Sequence, residues 1–288
     1  CSILNVCALN GSFISIVSKF PIIDIILKCL DTMKEYPEVL VIVLFTIFFL
    51  VDQSIDLATE FKNKRGPEKI SSIWNNWEND EEVMYAVMHC ISSFVADADI
   101  QTRLMSLRYV ERIAQVLQEF SSCKQVLREA MTALARMAIN EVPKKMMIEQ
   151  HIVSFAIDAV YRFPEQKRLL VAGALVLNAL YCEETHKAME ESNLVTSCCK
   201  ALGTHGAYPE MISAMCTLVN HLVSEVTYPQ MKSGKLLSIL MDCLSVHQQD
   251  VDRCIIILEL LVSVLFMSVK MGESVSERIV ETAVFIMN

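Results

Sequence analysis

Three short stretches of one kind decide how this chain folds: Tyr36-Pro37-Glu38, Phe163-Pro164-Glu165 and Tyr208-Pro209-Glu210. Each joins the end of one amphipathic segment to the beginning of the next. Proline is tolerated at the first position of a helix, where the backbone N–H has no intrahelical acceptor. A glutamate in the first turn interacts favourably with the positive end of the helix dipole. The three stretches therefore predict turns that each begin a new helix.

The same kind of boundary recurs along the chain. An aromatic or histidine residue ends an amphipathic segment, a short polar turn follows, and a longer amphipathic segment begins. These closing residues are separated by 41, 43, 43, 42 and 42 positions. They are Tyr36, Trp77, Phe120, Phe163, His205 and His247. A constant period of this length predicts a repeat architecture, in which each unit buries its apolar face against its neighbours.

Each period also contains a short third segment before the helix pair, as in residues 98–108 and 183–192. Three helices in roughly 42 residues are the plan of armadillo repeats rather than of two-helix repeats. We therefore expect residues 1–288 to form a single repeat array. The predicted units are a partial or first repeat at 1–52, repeats at 53–97, 98–140, 141–182, 183–225 and 226–270, and the start of a truncated further repeat at 271–288.

Residues 183–195, with the sequence EETHKAMEESNLV, resemble the opening of an armadillo repeat, although Ser192 stands where the family usually has glycine. Gly234 keeps that glycine in the next unit. The resemblance implies an all-α, right-handed α-solenoid. A shorter resemblance, carried by residues 218–222 and 163–165, is to the armadillo regions of leucine-rich-repeat (Roco) kinases and other kinase-linked armadillo proteins.

In armadillo proteins, extended partners lie along a groove lined by the third helices, often held by an asparagine. At the equivalent register this chain has no asparagine, while Asn178 and Asn220 come one position earlier. This departure argues against import-receptor recognition of basic peptides. Arg136 has the chemistry to bind a partner carboxylate through two hydrogen bonds. The candidate groove residues are Ser93, Arg136, Asn178, Ala179, Asn220, His221 and Val264.

Composition narrows the possible functions. The net charge of −9 disfavours general nucleic-acid binding, because a phosphate backbone would repel the chain. Eleven cysteines without a C-x-x-C pair are typical of a reducing, cytoplasmic compartment rather than of a disulfide framework. The longest apolar run, 39–51, is too short to cross a bilayer, which takes about 20 residues. We expect it to form a helix buried on all sides, with an interfacial segment as the alternative.

No catalytic signature is found in the sequence. It contains no glycine-rich phosphate loop, and the pair Cys182 and His186 lacks further metal ligands at useful spacing. We predict no cofactor and no metal. The function we expect is a non-enzymatic scaffold or adaptor that binds a protein partner in the groove. The alternatives are a regulatory segment of a larger enzyme such as a kinase, or a structural component of a cytoskeletal or ciliary assembly.

Two further expectations concern surfaces. The basic stretch from Lys62 to Lys69 resembles a short localisation signal, but it also fits an ordinary solvated face. The last residues, which include Ile279, Val284 and Phe285, form an apolar pattern with no following segment in this sequence. That pattern predicts either more chain or self-association through this end.

Overall fold

The computed structural model describes residues 14, 16, 18–95 and 98–272. Within these residues the chain is helical apart from short connections, and no strand occurs. The prediction of an all-α helical solenoid is confirmed. The helices of the described residues are α1 Ile22–Thr32, α2 Pro37–Gln53, α3 Ile55–Asn63, α4 Gly66–Asn76, α5 Glu81–Phe94, α6 Ala98–Ser106, α7 Tyr109–Glu119, α8 Lys124–Met137, α9 Glu141–Glu149, α10 Ile152–Arg162, α11 Lys167–Ala179, α12 Glu183–Glu191, α13 Leu194–His205, α14 Pro209–His221, α15 Tyr228–Ser233, α16 Leu236–His247 and α17 Val251–Lys270.

The chain divides into two compact units, Cys1–Gln150 and His151–Asn288. In the first unit, α2 packs against α5 and α5 against α8, while α7 packs against α8. In the second unit, α11 packs against α14 and α14 against α17, while α13 packs against α14 and α16 against α17. Each unit thus contains a row of three long helices, which we call its third-helix ladder. The single array over 1–288 and its repeat limits stay a prediction, and 273–288 lie outside the described residues.

Three of the six closing residues form hydrogen bonds to the preceding repeat. In the first unit, the indole Nε1–H of Trp77 donates to the Lys34 carbonyl at 3.0 Å. In the second, the Nε2 atoms of His205 and His247 lie 3.1 and 2.7 Å from the carbonyls of Pro164 and Gly206. A ring N–H at the end of a helix therefore satisfies a carbonyl in the turn of the preceding repeat. This bond accounts for the ring at Trp77, His205 and His247, whereas Phe120 and Phe163 have no ring N–H to donate.

The predicted helix starts are correct at two of the three prolines. Pro37 and Pro209 are the first residues of α2 and α14. At Phe163-Pro164-Glu165 the prediction is wrong, since α11 begins only at Lys167. The Gln166 N–H donates to the Phe163 carbonyl at 3.0 Å, so Pro164 and Glu165 form a turn. Proline also suits the second position of such a turn, which explains the ambiguity.

The expectation that 39–51 is buried on all sides is wrong. Leu40 and Leu44 are fully buried, but Val39 and Ile42 are 36 and 38% exposed. The reason is that α2 has its main packing partner, α5, on one side, and its opposite edge faces solvent. No helix of the described residues is both long and apolar enough to cross a membrane.

Four residues that directly precede a helix have left-handed backbone, with φ between 55 and 62°. They are Arg65 before α4, Arg108 before α7, His151 before α10 and Lys235 before α16. Gly234 is the residue that matches the usual glycine of the armadillo pattern, and its φ is −77°. Its backbone instead lies so close to Cys199 that an added Cβ would be 2.9 Å from the cysteine Cβ. This glycine therefore serves close packing, and the next residue makes the turn.

Gly66 has the tightest packing of the described glycines, since an added Cβ would lie 2.4 Å from the fully buried Phe61 ring. We expect Gly66→Ala to lower the free energy of unfolding by about 2 kcal/mol, because the ring has no space to move. Gly203→Ala is the control: its Cβ would meet only Ile239, at 3.4 Å, in the last turn of α13. That change should raise stability by about 0.5–1 kcal/mol. Urea unfolding of both variants checks the pair, and equal stability of Gly66→Ala and wild type would contradict the expectation.

Candidate partner-binding surface

Five half-buried rings lie together on the third-helix ladder of the first unit. They come from α2 and α5. Each of these helices has one face that is not covered by the core. The Phe48 and His89 rings are in contact with centroids 3.8 Å apart and 31° between the planes, and Phe45 contacts Tyr85 edge to face at 5.5 Å. We call this group the aromatic–histidine cluster. Its members are Phe45, Phe48, Phe49, Tyr85 and His89.

A buried carboxylate on α8 holds the cluster in place. Glu129 is only 5% exposed, and its Oε2 accepts a hydrogen bond from His89 Nδ1 at 2.8 Å. Its Oε1 accepts from Arg128, whose Nη2 is 2.6 Å away. Arg128 also donates to the Tyr85 hydroxyl at 3.2 Å. The rings of α5 are therefore tied to α8 by charged hydrogen bonds, which are the stronger kind.

The environment of Glu129 keeps it ionised. Burial alone would raise the pKa of its carboxyl, but the hydrogen bonds and charges of His89 and Arg128 outweigh burial and lower that pKa. The carboxylate in turn orients the imidazole, since Nδ1 must donate to it. His89 is thereby a pre-oriented polar group among aromatic rings, a combination suited to recognition of a partner side chain.

Ser93 lies one turn beyond His89 on α5, and Arg136 of α8 contacts the same turn through the Ser92 carbonyl. The Arg136 guanidinium donates from Nη1 to the Ser92 carbonyl at 2.5 Å and lies 3.9 Å from Asp52. Its side chain is 42% exposed, so further N–H donors face solvent. The Ser93 hydroxyl donates to the Cys90 carbonyl at 2.6 Å, within its own helix. Arg136 is thus the more available of the two predicted residues.

The remaining predicted groove residues belong to the second unit. The Asn178 side chain donates to the Ala214 carbonyl at 2.9 Å, joining α11 to α14. Ala179 and Asn220 are half-buried. Val264 is 2% exposed, so its side chain packs in the interior rather than toward a partner. The apolar residue at that register position faces the core because α14 packs against α17.

His221, also of the second unit, stacks flat on Tyr181 with centroids 4.4 Å apart and 12° between the planes. Burial lowers the pKa of this histidine. Its Nδ1 atom is buried without a hydrogen-bond partner among the described residues. The His221 ring therefore packs against Tyr181, and its Nδ1 atom is not available to a partner.

Sequence reasoning missed the aromatic–histidine cluster, since it chose positions by the family's asparagine register, one turn further along α5 and two turns further along α8. One signal was available: Phe48, His89 and Glu129 are separated by 41 and 40 positions, close to the repeat period. Residues one period apart lie side by side on neighbouring third helices. A histidine and a glutamate so spaced, each inside an apolar stripe, indicate a pair between repeats.

The basic stretch is folded, and its Lys64 and Lys69 side chains form ion pairs. Lys64 lies 2.6 Å from Asp24 and 2.7 Å from Glu60, and Lys69 lies 2.5 Å from Asp31. The two lysines lie in α4 or in the turn between α3 and α4, whereas Asp24 and Asp31 lie on α1. The arrangement is that of a structural ion-pair surface. Among the described residues, no group of three or more His, Cys, Asp or Glu side chains is placed to hold a metal ion.

No protein-family model matches this chain. Among solved structures, one chain from a study of a phosphorylation switch in the interaction between cadherin and β-catenin aligns with a TM-score of 0.67 and 12% identity, over 91% of this chain and 51% of that chain. Two engineered proteins align with TM-scores of 0.67 and 0.65, each at 14% identity. They cover 98 and 86% of this chain, and 72 and 97% of their own lengths. The likeness shows a shared helical repeat fold.

Proposed function

We propose that this protein is an armadillo-type scaffold that binds a protein partner on the third-helix ladder of its first unit. The observation that carries the proposal is the aromatic–histidine cluster with Arg136 beside it. Aromatic and arginine side chains dominate the binding energy of protein interfaces. Here they are held by packing and by Glu129, so a partner would lose little entropy in ordering them.

The surroundings support this proposal over an enzymatic role. Among the described residues we find no nucleophile paired with the oriented imidazole of His89. The nine described cysteines are free thiols, five of them buried in the second unit, which supports a cytoplasmic, reducing location. The structural neighbour from the cadherin–β-catenin study belongs to a protein–protein interaction, in keeping with a binding role.

The test is affinity purification of the full chain with mass-spectrometric identification of partners. We expect Phe48→Asp to lower recovery of the specific partner about tenfold or more, because it places an unpaired charge in the apolar centre of the surface. Arg136→Glu should weaken binding as well, by reversing the charge beside the cluster.

Phe266→Asp is the matched control, since Phe266 is 71% exposed on α17 of the second unit. It makes the same chemical change away from the cluster, and partner recovery should not change. If Phe48→Asp retains every partner while its helical content and thermal unfolding match wild type, the binding surface lies elsewhere. His221→Glu then tests the ladder of the second unit.

A further inference from the structure

The contact between Tyr181 and His221 links two helices of the second unit at their C-terminal ends. Tyr181 lies just beyond α11, and His221 is the last residue of α14. Their rings stack nearly parallel at 4.4 Å. Tyr181 also forms a T-shaped contact with the His186 ring of α12, with centroids 5.5 Å apart and 82° between the planes. One tyrosine therefore separates two histidines with different surroundings.

The two histidines differ in the charges near them. His186 Nε2 lies 3.7 Å from the Glu190 carboxylate, which also accepts a hydrogen bond from Ser224. A proton on His186 would therefore have a counter-ion. The only cause of the lowered pKa of His221 is burial, with no compensating charge. The Nδ1 atoms of both histidines are buried without a hydrogen-bond partner among the described residues, so the carboxylate beside His186 is what distinguishes the two.

Among the described residues, no carboxylate forms an ion pair or a hydrogen bond with His221. Helix α13 contributes Cys198 and Cys199, whose thiols are neutral because burial raises their pKa. Beyond the end of α14, Glu225 is paired with Lys270 of α17 at 2.6 Å. Glu259 of α17 is exposed to solvent. A proton on His221 thus enters a site without a partner for its charge.

We propose that the Tyr181–His221 stack is a pH-sensitive contact that joins α11 to α14 while His221 is neutral and loosens when His221 takes up a proton. A protonated ring carries an N–H at Nδ1, and that buried donor has no acceptor. The attraction of a cation to the Tyr181 ring face opposes this cost but is weaker at a half-exposed site. The Nδ1–H group of the protonated ring gains a hydrogen-bond acceptor when the imidazole turns out into water. This movement separates the ends of the two helices.

The direction of the pH effect follows from linkage. Because the pKa of His221 is lower in the folded chain than in the unfolded chain, acid favours the open form. The contact is fully formed above the unfolded value of about 6.5. It weakens as the pH falls below that value, and the weakening ends once the pH is below the lowered folded value.

Hydrogen exchange of the full chain at pH 7.5 and pH 5.5 tests this proposal, with protection factors corrected for intrinsic exchange. We expect amides at residues 176–182 and 215–222 to lose protection about threefold or more at the lower pH, while those of α16 do not change. His221→Phe keeps a stacked ring that cannot be protonated and should abolish the loss. His186→Gln is the matched control and should leave the loss in place.

A pH-dependent loss of the same size in His221→Phe as in wild type would overturn the proposal, and so would its absence in wild type. If His221→Phe does not fold, titration of the wild-type histidine ring resonances by NMR decides the question. A His221 midpoint below 6.5, with shifts in Tyr181 at the same midpoint, supports the contact as described. A midpoint at or above 6.5 contradicts it. None of these outcomes depends on the proposed partner.

Discussion

Tyr109→Ala is expected to lower the free energy of unfolding by about 4 kcal/mol, which is typical of removing a large aromatic side chain from a core. Tyr109 is completely buried at the start of α7, and its ring meets Trp74 edge to face at 5.5 Å. Its hydroxyl accepts from Ser71 at 2.9 Å and donates to the Pro67 carbonyl at 3.0 Å. The substitution removes both the packing and the two hydrogen bonds between neighbouring repeats.

Tyr109→Phe separates these two contributions. It keeps the ring but leaves the Ser71 hydroxyl and the Pro67 carbonyl without their partner, so we expect a loss of about 1–2 kcal/mol. Burial raises the pKa of the Tyr109 phenol, so the hydroxyl stays a donor throughout the working pH range. Equilibrium urea unfolding followed by circular dichroism measures both variants. A Tyr109→Ala chain as stable as Tyr109→Phe would show that the ring packing contributes little.

Glu129→Ala should lower the free energy of unfolding by about 3 kcal/mol, because it leaves His89 and Arg128 half-buried without their shared carboxylate. Glu129→Gln keeps the shape and one acceptor oxygen and should cost less. A double-mutant cycle with His89→Ala measures the coupling between the pair directly. A coupling energy near zero would mean that Glu129 does not hold His89. Partner recovery by Glu129→Gln then reports whether the orientation of His89 matters for binding.

The pH dependence of this pair follows from the lowered pKa of Glu129. The unfolded chain takes up the proton more readily, so the stability that the carboxylate contributes is present above its unfolded value, near 4.3. That contribution is lost as the pH falls through the lowered folded value. Wild type and Glu129→Gln should therefore become closer in stability under acid conditions.

How much of the fold the sequence predicts can be judged at its boundaries. The helix starts predicted at Pro37 and Pro209 are correct, because a proline followed by a glutamate suits the first turn of a helix. At Pro164 the same chemistry also suits a turn, and the local sequence does not distinguish the two; in the structure the Pro164 carbonyl of that turn contacts the His205 ring. Burial of α2 was overestimated for a similar reason. Hydrophobicity alone does not say which face of a helix receives a neighbour.

The sequence by itself determined the repeating pattern of this protein, because amphipathic period, helix starts and closing rings are local properties that recur every 41 to 43 residues. Only the tertiary structure decided which polar residues work together. Glu129 and His89 lie 40 positions apart, and their pairing depends on the register between α5 and α8, set by side chains of the core. The flat stack of Tyr181 and His221 depends in the same way on how α11 meets α14. A shift of one helical position between neighbouring helices would separate both pairs without changing the pattern in the sequence.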